Sequence, residues 1–346
     1  MSKGRYALLI LPATNRVYAE ASVRLTQGEL GVFNERVLGG RLHDISDATI
    51  GGVPYVVFSG ERLTDRDAAF LANLSSVYAL FEVEGELLRP VQLRPLDRFD
   101  SDLITIQKYQ GKTNEYFTKL LLNVTLASTS FSDQMLDRRF TVLDPLCGRG
   151  TTLNQAMMYG FDAAGIEIDQ RDFDAYRNFM LTWLKRKRVK HQAKEGPVRR
   201  NKQVIGRRLE VTLGATKEEY KAGATIDLTM ENADTMRGLE FFRPGSFDVL
   251  VADAPYGVQH GSRTVERGLA RSPLELLASA LPVWTKLLRS GGAIGISWNT
   301  YVAKREEVGK LLIDNGLELL ESDAYLSFKH RVDQAIVRDA VVAHKP

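Results

Sequence analysis

The chain of 346 residues is 44% hydrophobic and 26% charged, with a formal net charge of +3 and a single cysteine. That length is enough for two domains with buried cores. One cysteine, Cys147, excludes an intrachain disulfide, and no apolar run reaches the ~20 residues of a membrane span, so a reducing, cytoplasmic setting without a membrane partner is the expectation.

Residues 1–98 alternate short β-branched or aromatic runs with turns, and 6–11, 17–25, 55–58 and 77–83 are predicted strands. Thr64 followed by Ala68, Ala69, Phe70, Leu71 and Leu74 predicts a capped helix. Together these give a small N-terminal α+β domain over 1–98, a candidate substrate-binding module. The polar, proline-containing stretch 94–102 reads as a linker.

From 99 to 346 the pattern changes to strands alternating with helices. Strands are predicted at 140–143, 163–168, 247–252, 293–298 and 334–342, and helices at 152–158, 172–184 and 273–288. The last helix is well marked, with Ser272 at the N-cap, Pro273 at the first helical position and Glu275 completing a capping box. Such alternation implies an α/β fold, a mostly parallel sheet with helices on both faces, binding its ligands at the carboxyl ends of the strands.

The charge is unevenly spread. Eleven Lys/Arg and one acid, Glu195, lie between Lys185 and Arg208, and the remainder of the chain is slightly acidic. This basic insertion at 185–208 is either a footprint for nucleic-acid phosphates or a solvated, disordered surface segment.

Three strings at predicted strand ends carry chemistry. The first, Asp144-Pro-Leu-Cys-Gly148-Arg-Gly150-Thr-Thr152, joins a strand to a helix. Its glycines let the backbone approach a bulky ligand, the helix start after Thr151 offers N–H groups to a carboxylate, and Asp144 can accept from an ammonium. An amino-acid-like ligand suits this loop better than a pyrophosphate. The second is Gly165-Ile-Glu167-Ile-Asp169, where Glu167 is the first acid past the apolar run and is placed to accept from ribose hydroxyls. Asn232-Ala-Asp234 offers a carboxylate to an adenine amino group. The third is Asp253-Ala-Pro255-Tyr256-Gly257. An exocyclic base amine is a poor nucleophile because its lone pair is delocalised into the ring. Acceptance of its two hydrogens by the Asp253 carboxylate and the Ala254 carbonyl would drive the nitrogen toward tetrahedral geometry. Pro255 fixes the turn, and Tyr256 gives a flat face for a flipped base. No His or Cys pair has metal-ligand spacing, so no metal is expected; His260 reads as a solvated loop histidine with substrate contact as the alternative, and Arg263, Arg267 and Arg271 recur every four residues beside the third string.

These strings resemble the amino-methyltransferases of the class I, Rossmann-like superfamily. In that family an Asp-Pro-x-Cys-Gly-x-Gly-Thr loop holds S-adenosylmethionine, and an (Asp/Asn)-Pro-Pro-(Tyr/Phe/Trp) tetrad holds the target amine. The resemblance covers roughly 103–346 apart from the basic insertion. It implies S-adenosylmethionine as cofactor, held by Asp144, Pro145, Cys147, Gly148, Gly150, Thr151, Glu167 and Asp234, with Thr113 and Phe117 from the upstream segment beginning Tyr109-Gln-Gly111-Lys. It implies Asp253, Pro255 and Tyr256 as the catalytic set. Ala254 departs from the tetrad, and Gly257 after the tyrosine is more like the tRNA guanosine-N2 methyltransferases, as is the stretch from Phe328 to Gln334. The tRNA enzymes usually carry an N-terminal RNA-binding module whose pattern 1–98 does not match. The expectation is methylation of guanine N2 in tRNA or another structured RNA. A DNA adenine-N6 or cytosine-N4 methyltransferase is the nearest alternative, and a non-catalytic nucleic-acid-binding protein the alternative from another class.

Overall fold

The alternating pattern of the N-terminal third forms a five-stranded antiparallel sheet in the computed structural model, which describes residues 3–12, 16–109, 111–255 and 272–346. Along the chain run β1 (Lys3–Ile10), α1 (Arg16–Arg36), β2 (Leu42–Ile50), β3 (Val53–Glu61), α2 (Asp65–Leu71), β4 (Val77–Glu84) and β5 (Leu87–Val91), with sheet order β2-β3-β1-β4-β5. The cap of α2 is as its sequence requires. Thr64 Oγ1 accepts from the Asp67 amide at 3.1 Å, and the Asp67 carboxylate accepts from the Thr64 amide at 2.8 Å.

One predicted strand is wrong. Residues 17–25 lie in α1, because the side chains that become buried, Tyr18, Ser22, Leu25, Glu29 and Phe33, recur at three- and four-residue steps. Helical periodicity outweighs the β-branched valines.

The second unit contains α3 (Asp102–Thr105), α4 (Glu115–Ala127), β6 (Thr141–Asp144), α5 (Thr151–Met158), β7 (Asp162–Glu167), α6 (Gln170–Arg186), β8 (His191–Arg200), β9 (Gln203–Leu213), α7 (Lys217–Lys221), β10 (Ile226–Asn232), α8 (Gly238–Phe241) and β11 (Phe247–Asp253). It continues with α9 (Pro273–Leu287), β12 (Leu288–Asn299), α10 (Arg305–Asp314), β13 (Glu318–Leu320), β14 (His330–Arg331) and β15 (Val337–His344). The sheet order is β13-β15-β12-β11-β6-β7-β10-β9-β8, with β14 beside β15. Strands β12, β11, β6, β7 and β10 are parallel, while β15 and the β8–β9 hairpin run antiparallel to their neighbours. This is a Rossmann-like α/β fold.

The parallel strands read as apolar runs because both faces are covered; Val249, Leu250, Val251 and Ala252 of β11 are all buried. The sequence reading missed β10, a short strand whose apolar residues Ile226, Leu228 and Met230 alternate with polar ones. The basic insertion is not a disordered segment. Leu209, Val211 and Leu213 are buried at every second position, which pins β9 to β10, and β8 folds back through a two-residue turn. Asn201 and Lys202 in that turn have φ of 50° and 66°, the left-handed pair that matches the twist of a hairpin.

One hydrophobic core passes through both units. It joins Leu25, Leu30 and Phe33 of α1 to Leu120, Leu121 and Val124 of α4 and on to Val142 of β6. The stretch 94–102 is pinned rather than free, since the Arg98 amide donates to the Met158 carbonyl at 2.7 Å. Among the described residues no helix is long and apolar enough to cross a membrane.

Candidate active site

Parallel pairing aligns the carboxyl ends of β6, β7, β10 and β11 along one edge. Asp144 is level with Gly165, Glu167 with Asn232, and Asp253 with Ser297 of β12. The acids picked out in the sequence therefore converge on the edge where open α/β sheets bind ligands.

The loop after β6 is folded around Glu167. The Gly148 amide donates to one Glu167 carboxylate oxygen at 2.8 Å and the Asp169 amide to the other at 2.7 Å. Behind it the Cys147 amide donates to the Ile166 carbonyl at 3.0 Å. Gly148 and Gly150 have φ of 50° and 75°, in the left-handed region. At Gly150 a Cβ would also lie 2.2 Å from the Tyr176 ring, so the loop can close only with no side chain there. At Gly148 no described residue stands within 4 Å of such an atom.

The charges of this cradle are unusual. Burial pushes the Asp144 carboxyl up to about 7, against hydrogen bonds from Thr152 and the Leu146 amide, with the charges of Asp253 and Glu167 adding to the rise. Burial likewise raises Glu167 to about 7, against its two backbone donors. A buried and a half-buried carboxylate beside a glycine-walled loop fit a ligand that carries positive charge. S-adenosylmethionine, with a sulfonium and an ammonium, has that charge.

Asp253 is held from behind. The Thr113 hydroxyl donates to one carboxylate oxygen and the Ser297 hydroxyl to the other, the latter at 2.5 Å. The Arg338 guanidinium lies 3.9 Å from the carboxylate, 3% exposed, with its carbon 4.5 Å above the centre of the Phe117 ring. His330 closes this layer with its ring 5.0 Å from Phe117; burial lowers it to about 4, so it is neutral near neutral pH. The chain turns out of β11 with the Ala254 amide donating to the Ser297 carbonyl at 2.8 Å, and Pro255 is exposed.

The structure brings Asp144, Gly148, Gly150, Thr151 and Glu167 into one cradle and sets Asp253 beside it. Asp234 follows β10 and accepts from the Met236 amide at 2.9 Å; the neighbouring Ala233 amide donates to the Glu167 carbonyl at 3.0 Å, so Asp234 flanks the cradle. Four expected cofactor contacts sit differently. Thr113 is engaged with Asp253, and Phe117 has no exposed surface because it packs under Arg338. Cys147 is buried against Gly165, and Pro145 is buried in the same turn. Tyr256, Gly257, His260, Arg263, Arg267 and Arg271 lie outside the described residues. Sequence reasoning missed Ser297 and Arg338, which no local motif marks; strand pairing alone brings β12 and β15 to Asp253.

A family model described as "RMKL-like, methyltransferase domain" matches residues 114–291. No curated protein matches the sequence. Among solved structures, the chain is similar to a TehB-like SAM-dependent methyltransferase from Corynebacterium glutamicum, at 15% identity over 62% of this chain and 84% of that one, with a TM-score of 0.33. It is similar to the ribosomal protein L11 methylase from Lactobacillus delbrueckii subsp. bulgaricus at 13% identity, covering 68% and 80% of the two chains with a TM-score of 0.36. For the precorrin-6y C5,15-methyltransferase from Geobacter metallireducens the identity is 12%, the coverage 73% and 99%, and the TM-score 0.38.

Proposed function

The chain belongs to the family described as RMKL-like methyltransferase domain and uses S-adenosylmethionine, and from that premise we propose that it methylates an exocyclic base amine, guanine N2 in tRNA or another structured RNA. The observation that carries this reading is Asp253: a strand-end carboxylate fixed by two hydroxyls, beside the cofactor cradle and followed in the sequence by Ala254-Pro255-Tyr256.

Asp144, Gly148, Gly150, Glu167 and Asp234 would hold the cofactor, which supplies a methyl group on a positively charged sulfur. Asp253 would accept one hydrogen of the base amine and the Ala254 carbonyl the other. A carboxylate has about four lone-pair sites. The Thr113 and Ser297 hydroxyls engage one oxygen each, which fixes the carboxylate plane. The Arg338 guanidinium lies 3.9 Å behind the carboxylate. Once charge develops on nitrogen its proton becomes acidic, and Asp253 or water takes it. Tyr256 would stack on the extruded base. No covalent intermediate is needed.

Asp253→Ala is expected to lower kcat by at least about 100-fold, the scale of a positioned proton acceptor. S-adenosylmethionine affinity, measured by calorimetry, should stay within about twofold. Retained turnover would remove Asp253 from the mechanism.

A further inference from the structure

The eleven basic residues between Lys185 and Arg208 are not equivalent once the hairpin is in place. Several are consumed internally. Arg207 pairs with Glu195 and Asp174, Arg208 with Glu231 and Glu210, and Lys187 with Asp100 and Asp102. Six of the others lie toward opposite edges of the sheet. Lys185 and Arg186 end α6, and Lys190 leads into His191, which is level with Leu213 and hence with Ile226, the first residue of β10. This cluster lies at the amino edge of the parallel strands, away from the candidate site.

The turn is at the other edge. Asn232, the last residue of β10 and level with Glu167, pairs with Arg207. Residues 203–206 therefore continue past the carboxyl edge, by roughly 13 Å at the rise of a strand. Arg199, Arg200 and Lys202 sit on that overhang and are exposed. Arg200 lies 3.9 Å from the Glu240 carboxylate. The overhang is braced, with Arg237 donating to the Ile205 carbonyl at 3.1 Å from the turn that Asp234 caps.

We infer that the tip of the β8–β9 hairpin, with Arg199, Arg200 and Lys202, is a docking arm for the phosphate backbone of the substrate RNA, an assignment that rests on the nucleic-acid reading above. Exposed cations on a braced arm, projecting from the same edge as Asp253, grip a polyanion whose target base is presented to that edge. They read no sequence, because phosphate contacts position a nucleic acid without specifying it.

The test compares two triple variants that remove the same charge. The tip variant is Arg199→Gln, Arg200→Gln, Lys202→Asn; asparagine keeps the left-handed turn position. The other is Lys185→Gln, Arg186→Gln, Lys190→Gln. Binding of bulk tRNA is measured between 50 and 200 mM salt, with S-adenosylmethionine affinity as the check on folding. The tip variant should lower the slope of log affinity against log salt by about 2 to 3, since each lost phosphate contact removes about 0.7 to 0.9. The other triple should leave the slope unchanged. Lys202→Asn alone should lower it by about 0.7 to 0.9, which keeps the comparison available if the triple variant does not fold. Wild-type binding with the same slope in both triples would overturn the tip assignment and spare the function. No salt-dependent tRNA binding by the wild type would overturn the nucleic-acid reading and the arm with it.

Discussion

On the proposed reading, Asp144 and Glu167 are residues at which charge and cofactor binding are linked. Both are raised to about 7 chiefly by burial, so near neutrality each is partly protonated in the free protein. A cationic ligand favours their ionised forms and lowers both values on binding. The sign follows directly: the complex holds fewer protons than the free protein, so affinity rises with pH. S-adenosylmethionine affinity is expected to increase from pH 5.5 to 7.5, with protons released on binding at pH 6.5, measured by calorimetry in buffers of different ionisation enthalpy. A flat profile without proton release would contradict this electrostatic role. These two acids, with Asp253, were legible in the sequence because each ends an apolar run beside a short motif. Ser297 and Arg338 were not, because their relation to Asp253 exists only after β12 and β15 take their places in the sheet. Thr113 was legible as a site residue but not as the partner of Asp253, since the relevant contact crosses 140 residues of chain.

At the scale of elements, the loop between β6 and α5 makes a sharp comparison between two glycines. Both have positive φ, and replacement by alanine costs about 1–2 kcal/mol at such a position. Gly150→Ala also drives a methyl into the Tyr176 ring, whereas Gly148→Ala meets nothing. Gly150→Ala should therefore cost at least about 2 kcal/mol more than Gly148→Ala in urea denaturation, an overpacking penalty. Equal losses would show that Tyr176 moves aside freely. Most helices and parallel strands were readable from caps and apolar runs. The failures have distinct causes: α1 carries valines that mimic a strand, and β10 alternates over only seven residues. The hairpin's charge concealed the three buried residues that anchor it.

In the whole molecule, the N-terminal sheet and the Rossmann-like unit share a core and a buried polar junction. Glu29 of α1 accepts from the Ser75 amide and hydroxyl and from the Asn123 side chain on α4, and Asn123 also bonds Tyr159 and the Asn73 carbonyl. Burial raises the Glu29 carboxyl, and these donors oppose the rise. Asn123→Ala removes a donor from a fully buried group, at a cost of about 1–3 kcal/mol. Because the core is continuous, the two units are expected to melt in one transition that shifts as a whole, followed by calorimetry. Two transitions, with only one moved, would show that they unfold independently. This coupling was invisible in the sequence, where the polar stretch 94–102 reads as a linker. In the structure that stretch is hydrogen-bonded to both units, through Asn73 on one side and Met158 on the other.

The most direct test is transfer of label from S-adenosylmethionine to bulk tRNA, rRNA and genomic DNA in parallel, each digested and resolved by nucleoside. Label in N2-methylguanosine from tRNA is the expected result. Label confined to N6-methyladenine or N4-methylcytosine in DNA would contradict the RNA substrate while keeping the amine chemistry, and no label in any nucleic acid by cofactor-bound protein would contradict both.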